Sequence, residues 1–271
     1  MMQIHWSAFL PQFRKTLEVY QGSILFVRKH RLWEGVWQYS WVTRLLIIFA
    51  LLIGLKFFTI FFHWLQEFSH TERTQMMMAV SGMLSELFTE GYLRLFSGGG
   101  KYLMLIFLEV IIFHVSRRTL DILRDDIEAD LSFKNFVQAQ VRMLKIGIYS
   151  WVIELVLGIL IGIALSIFGL KWLKPGIIVL VQCALMGWAV VDNYNEQFHL
   201  SLKTSIQQTF SRYMGVAFGV GVVLYVLIHI PIVGPIAGPV LAAVTATVVM
   251  HDISNIRIRQ PRTSAASSET V

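Results

Sequence analysis

Long apolar blocks alternate with polar, mostly basic stretches along this chain, and the blocks are too continuous to be the one-sided stripes of soluble helices. Six stand out, near residues 41–65, 102–115, 146–170, 175–191, 216–230 and 232–250. The first, Trp41 to Leu65, exceeds the ~20 residues a helix needs to cross a bilayer and has Trp41 and Trp64 near its ends, where interfacial aromatics belong. The second, Tyr102 to Val115, is short for a span unless its helix continues into protein or water. Between these two blocks Met76, Val80, Met83, Leu84 and Leu87 recur at helical spacing, which predicts amphipathic surface helices ending at Gly98–Gly100. Leu120, Leu123, Ile127 and Leu131 form a similar stripe after the second block, and Ser132 is placed to N-cap a second helix running through Lys145. Residues 254–271 are small and polar and read as a disordered cytoplasmic tail. The pattern predicts an all-α integral membrane protein: a single domain over 1–253, about six hydrophobic helices, some of them partly inserted hairpins, with cytoplasmic helical extensions.

Composition sharpens this. Of 271 residues, 55% are hydrophobic and 15% charged, against about a quarter charged in a soluble domain. Mean hydropathy is +0.62. No cleavable leader is evident, so the first block is expected to act as an uncleaved anchor. If all six blocks cross, the Arg and Lys residues sort seventeen to one side and five to the other, with Lys56 inside the first block. The positive-inside rule then puts both termini in the cytoplasm, and the net charge of +6 speaks for topology rather than for a nucleic-acid partner. The lone Cys183 excludes an internal disulfide and reads as a small buried hydrophobe.

The greasiest stretch holds three prolines, Pro231, Pro235 and Pro239, four residues apart, with Gly234 and Gly238 beside two of them. Inside a helix each removes a backbone bond, at about 3 kcal/mol or more. Two readings follow. In one, Pro231–Pro239 is the turn of a half-inserted hairpin whose returning arm, from Val240, spans only ~15 Å. In the other, the last block is a full span with a proline-kinked outer end.

Candidate chemistry is sparse. Lys56, Glu109 and Glu154 each lie within an apolar block, where a charge costs at least ~2.5 kcal/mol and usually finds a partner. Pairing of Lys56 with Glu109 or Glu154 is expected, as a structural lock or as the lining of a path. Asp192, Asn193, Tyr194 and Glu196 form a polar cluster closing the fourth block, whose plain reading is a capped helix end. The Gly-Gly-Gly-Lys at residues 98–101 lacks the Ser/Thr and the preceding strand of a phosphate loop. The acidic residues near 121–130 are interleaved with arginines and read as a solvated, salt-bridged helix. No catalytic arrangement, metal site or cofactor motif is suggested, and no enzyme is expected.

One region carries a resemblance. Trp188, the Asp192-Asn193-Tyr194 element, a polar helix, an apolar helix, Ile230-Pro231, Pro239 and Ala246-Thr247 follow one another as in the CysZ sulfate permease family and its eukaryotic relatives, the etoposide-induced membrane proteins. The chain resembles them well over about a quarter of its length. It departs from them before the first block, which is preceded by "FVRKHRLWEGVW", and in having Gly234 where the family commonly has Asn. The resemblance implies full spans combined with partly inserted hairpins, a bacterial inner-membrane location, homo-oligomers in the lipid bilayer, and passage of sulfate or a related oxyanion. An anion path needs fixed positive charge, and Arg28, Lys29 and Arg31, with Arg117 and Arg118, are the candidates. Their plain reading is topology and headgroup contact. The alternative function is a membrane scaffold or assembly factor that keeps the fold without a pathway.

Overall fold

The computed structural model describes residues 6–34, 100–124, 133–230 and 233–254, and among them every regular element is a helix. The first apolar block with Lys56, the amphipathic stretch after it, Ser132, Pro231 and the tail beyond Ser254 lie outside the described residues.

Seven α-helices are described: α1 (Trp6–Lys29), α2 (Gly100–Arg124), α3 (Phe133–Ile167), α4 (Lys174–Glu196), α5 (Leu202–Arg212), α6 (Met214–Ile228) and α7 (Gly234–Ile253). By length and composition, α3, α4 and α7 are each able to cross a membrane, and α5 with α6 makes a fourth candidate bent by 91°. The five blocks that fall on described residues are therefore recovered as helices, and the described residues hold three to four candidate crossings. The second block belongs to α2, a helix of 25 residues, so it does continue beyond its apolar core. The segment predicted to form a separate helix ending at Lys145 instead runs without a break into the third block. Together they make the 35-residue α3, ~52 Å long. No helix breaker separates the amphipathic stretch from the apolar one, so the change in composition marks a change of surroundings and not an end.

α6 is central and packs against α1, α4 and α7, while α7 also meets α1, α2 and α4. Close approach is built from small residues, as expected where lipid offers no hydrophobic drive between helices. At the α4–α6 crossing, a Cβ on Gly187 would lie 1.6 Å from the Ala217 carbonyl oxygen, and one on Gly221 would lie 1.7 Å from that of Cys183. The two backbones touch there, and no side chain fits.

α1 is the element that the apolar blocks do not announce. It lies along α6 and runs antiparallel to α7: the Lys15 ammonium pairs with Asp252, and the Ser23 and Thr245 hydroxyls meet at 2.7 Å. The Gln12 amide donates to the Arg212 carbonyl at 2.7 Å and the Tyr20 hydroxyl to that of Val220 at 3.1 Å. Three helices end alike. Arg31, Gly169 and His199 take left-handed φ of 45°, 68° and 55°, and the next residue, a leucine each time, bonds back to the carbonyl five residues before it. This is the Schellman cap, and glycine is its usual occupant.

The proline ladder is corrected here. Gly234, Pro235, Gly238 and Pro239 are not the hairpin turn but part of α7, with Pro235 in its first turn and Pro239 inside it. The physical reason is that proline's fixed φ suits a helix start. Its four-residue spacing also makes the N–H missing at Pro239 the one that would have bonded the Pro235 carbonyl. α6 ends at Ile228 and α7 opens at Gly234, where a Cβ would sit 1.8 Å from the Leu227 carbonyl oxygen, so the start of α7 lies tightly against the end of α6. The returning arm has 20 residues, ~30 Å, and the ten-residue arm of the half-inserted reading is not found. The short helix is α6, with 15 residues and ~22 Å.

Candidate functional site

Two polar clusters are buried in this bundle. The first surrounds Glu154, halfway along α3. Its Oε1 accepts from the Lys101 ammonium at 2.8 Å and from the Gln182 amide at 2.6 Å, while Oε2 accepts from the Tyr102 hydroxyl at 2.8 Å. Lys101 and Tyr102 are both 2% exposed. α2 brings the cation and the hydroxyl, α3 the carboxylate and α4 the amide, so one carboxylate ties three helices together. Lys101 opens α2 just past the glycine run, which makes it a buried residue and not a loop charge.

The second cluster lies where α2, α3, α4 and α5 converge. Arg142 of α3 grips Asp192 of α4 with both edges of its guanidinium, at 2.6 and 2.8 Å. Its remaining nitrogen donates to the carbonyl of Leu200, just past the end of α4. Asp192 also accepts from the Ser205 hydroxyl. Ser201 caps α5, its side chain accepting from the Thr204 N–H, and this turns α5 so that Ser205 and Thr209 face α4. There the Asn195 amide donates to Ser205 at 2.8 Å and to Thr209 at 3.4 Å. Trp188 packs on Phe210 with ring centroids 5.9 Å apart, and the Tyr194 hydroxyl meets that of Ser254 at 2.9 Å. The predicted polar cluster does close α4, which ends at Glu196 with the cap at His199 and Leu200, and in it Asp192, Asn193 and Tyr194 are buried while Glu196 is half-buried.

Toward α2 this cluster changes character. Glu109 is 1% exposed, and its Oε2 accepts from the Asn193 amide at 3.3 Å. Two turns along α2, Ser116 accepts from the Gln197 amide at 2.9 Å and meets the Thr247 hydroxyl at 2.7 Å. The donors of Asn193, Asn195 and Gln197 are all engaged, whereas their Oδ1 or Oε1 atoms are buried without a hydrogen-bond partner among the described residues.

The sequence-predicted cations fall at the far end of α1. Arg28, Lys29 and Arg31 are exposed. Arg31 pairs with Glu34 at 3.1 Å, and Arg118 donates to the Glu34 backbone carbonyl, so two clusters 87 residues apart in sequence share one residue. Arg117, on the same helix as Arg118, is half-buried. Lys56, expected to pair with Glu109 or Glu154, lies outside the described residues, and the cation found on Glu154 is Lys101. Sequence reasoning also missed Arg142, Gln182 and Tyr102. Lys101 and Arg142 read as ordinary loop charges because each lies at the edge of an apolar block. The only available signal was the demand of Glu154 and Asp192 for a cation at the right depth.

No family model, no curated protein and no solved structure matches this chain.

Proposed function

We propose that this protein is a membrane permease or channel of the CysZ-like type, passing sulfate or a related oxyanion. The observation that carries the reading is the meeting of Arg31 and Arg118 on Glu34, with exposed Arg28 and Lys29 one turn away. Four guanidinium or ammonium groups so arranged offer an oxyanion the charge-assisted donors that replace its hydration. The residues that carry the resemblance supply the substrate class. Charge bias supports cytoplasmic termini in a bacterial inner membrane. The apolar surface of α3, where Ile163 is 56% and Ile167 75% exposed, supports contact with lipid and with further copies of the chain.

A second reading, a membrane scaffold without a pathway, is favoured by the buried cations. Lys101 and Arg142 are each held by a carboxylate, as a dry structural core would hold them. Sulfate uptake into liposomes carrying the purified protein separates the two. The permease reading expects saturable flux, competed by thiosulfate, that falls at least tenfold in Arg28→Gln/Lys29→Gln/Arg118→Gln. Arg31→Gly removes a charge while keeping the left-handed cap, so a loss of flux there reports the charge itself. A folded, homogeneous protein that passes no anion establishes the scaffold.

A further inference from the structure

Glu109 differs from the other buried acids described above. Asp192 is matched by Arg142, each of whose three guanidinium nitrogens donates to Asp192 or to the Leu200 carbonyl. Glu154 is matched by Lys101. Glu109 receives one amide N–H at 3.3 Å. Of the charged groups facing it, α4 contributes Asp192 and Glu196 as well as Asn193, and α3 contributes Arg142; the charges of Arg142 and Asp192 offset each other, which leaves Glu196. On its own helix His114, Arg117 and Arg118 lie a turn or more further on, and on α7 His251 and Asp252 lie one turn or more past Thr247. A carboxylate in such a place needs a positive charge, since an isolated buried anion costs far more than one hydrogen bond returns.

The side chains around it point to the same ligand. The N–H donors of Asn193 and Gln197 are spent on Glu109, on Ser116 and on backbone carbonyls of α4, while Asn193 Oδ1 and Gln197 Oε1 are buried without a partner among the described residues. Asn193 is 3% exposed. Spare oxygens with no spare donors repel an anion and suit a cation. We propose that the seam between α2 and α4 binds one monovalent cation against Glu109. The cation is either a proton on the carboxylate or a sodium ion held by Glu109 with the amide oxygen of Asn193. The site is distinct from the arginine cluster and does not depend on what the protein transports.

The test uses the purified full-length protein. Thermal unfolding is followed in sodium chloride and in choline chloride of equal ionic strength, and infrared spectra are searched for a protonated-carboxyl band at neutral pH. A Tm several degrees higher in sodium, with the difference lost in Glu109→Gln, identifies sodium. Equal Tm in the two salts, with a protonated-carboxyl band that Glu109→Gln removes, identifies a proton. Equal Tm in wild type and no such band overturns the proposal without any variant, and is what a cation from elsewhere in the chain, such as Lys56, would produce. Should Glu109→Gln fail to fold, Asn193→Ala replaces it and must weaken the sodium effect or shift the band. A sodium effect and a band both untouched by Asn193→Ala place the cation elsewhere and also overturn the proposal.

Discussion

Glu154 and Glu109 look the same in the sequence: one acid each, inside an apolar block. Their surroundings are opposite. Glu154 takes three donors, one of them a cation, on its two oxygens. Among the described residues Glu109 takes one amide at 3.3 Å, from Asn193, whose own amide oxygen has no partner there. The first is a charge whose buried cost is offset by a partner and two further hydrogen bonds, so it can serve as a permanent tie between α2, α3 and α4. The second is offset by nothing described in the fold and is suited to exchange. An intramembrane acid is therefore not one kind of feature, and the number and sign of the donors around it decide between a lock and a binding site.

The largest expected effect breaks the lock. Lys101→Met leaves Glu154 as an unpaired buried charge and should destabilise the fold by about 3–5 kcal/mol. The double variant Lys101→Met/Glu154→Met should recover most of that, because an ion pair replaced by packed apolar groups is often neutral or better. Chemical denaturation in detergent measures both. A double variant no more stable than Lys101→Met would mean that the three-helix tie does not rest on the charge pair. Arg142→Met should behave like Lys101→Met, since it abandons Asp192, which is 1% exposed.

A smaller effect separates the charge from its neutral donors. Tyr102→Phe and Gln182→Leu each remove one hydrogen bond to a carboxylate that keeps its cation, and each should cost about 1–3 kcal/mol. Measured in the Lys101→Met background, the two losses should not add simply to the first, because the three donors share one acceptor group.

Which parts of this were legible beforehand follows from what each signal measures. Hydropathy located α3, α4, α6 and α7 because their apolar runs are long. It missed α1 because its apolar contacts, such as Phe9 and Phe13 on Phe218 of α6, are interleaved with polar ones made by Gln12, Lys15, Tyr20 and Ser23. Such a helix looks like a polar leader in any window average. The prolines announced a reversal near the right place but not its extent, since Pro235 and Pro239 fit the first turns of a helix as readily as a loop. For the sites, the acids Glu109, Glu154 and Asp192 were visible as anomalies within or beside apolar blocks. Their partners were not, because Lys101 and Arg142 sit at block edges, where basic residues are expected for topology alone. Depth, rather than residue type, distinguishes them, and depth is a property of packing.

The smallest expected effect is the sharpest test of the comparison. If Glu109 carries a proton in the folded protein, Glu109→Gln replaces a neutral group by a neutral group of the same shape, and the Asn193 amide finds an oxygen either way. At neutral pH the unfolded chain ionises this carboxyl, so wild type must take up a proton to fold, and the variant should be no less stable than wild type. The same exchange at Glu154 gives up a carboxylate paired with Lys101 and should cost about 3–5 kcal/mol. If the two Gln variants prove equally damaging, Glu109 is an anion with a fixed cationic partner, and the contrast between the two acids is lost. If Glu109→Gln costs nothing at neutral pH, a second step follows. Folding of wild type draws on a proton that becomes scarcer as pH rises, up to the point where the buried carboxyl itself ionises, whereas glutamine binds none. The variant should therefore gain stability relative to wild type as pH rises.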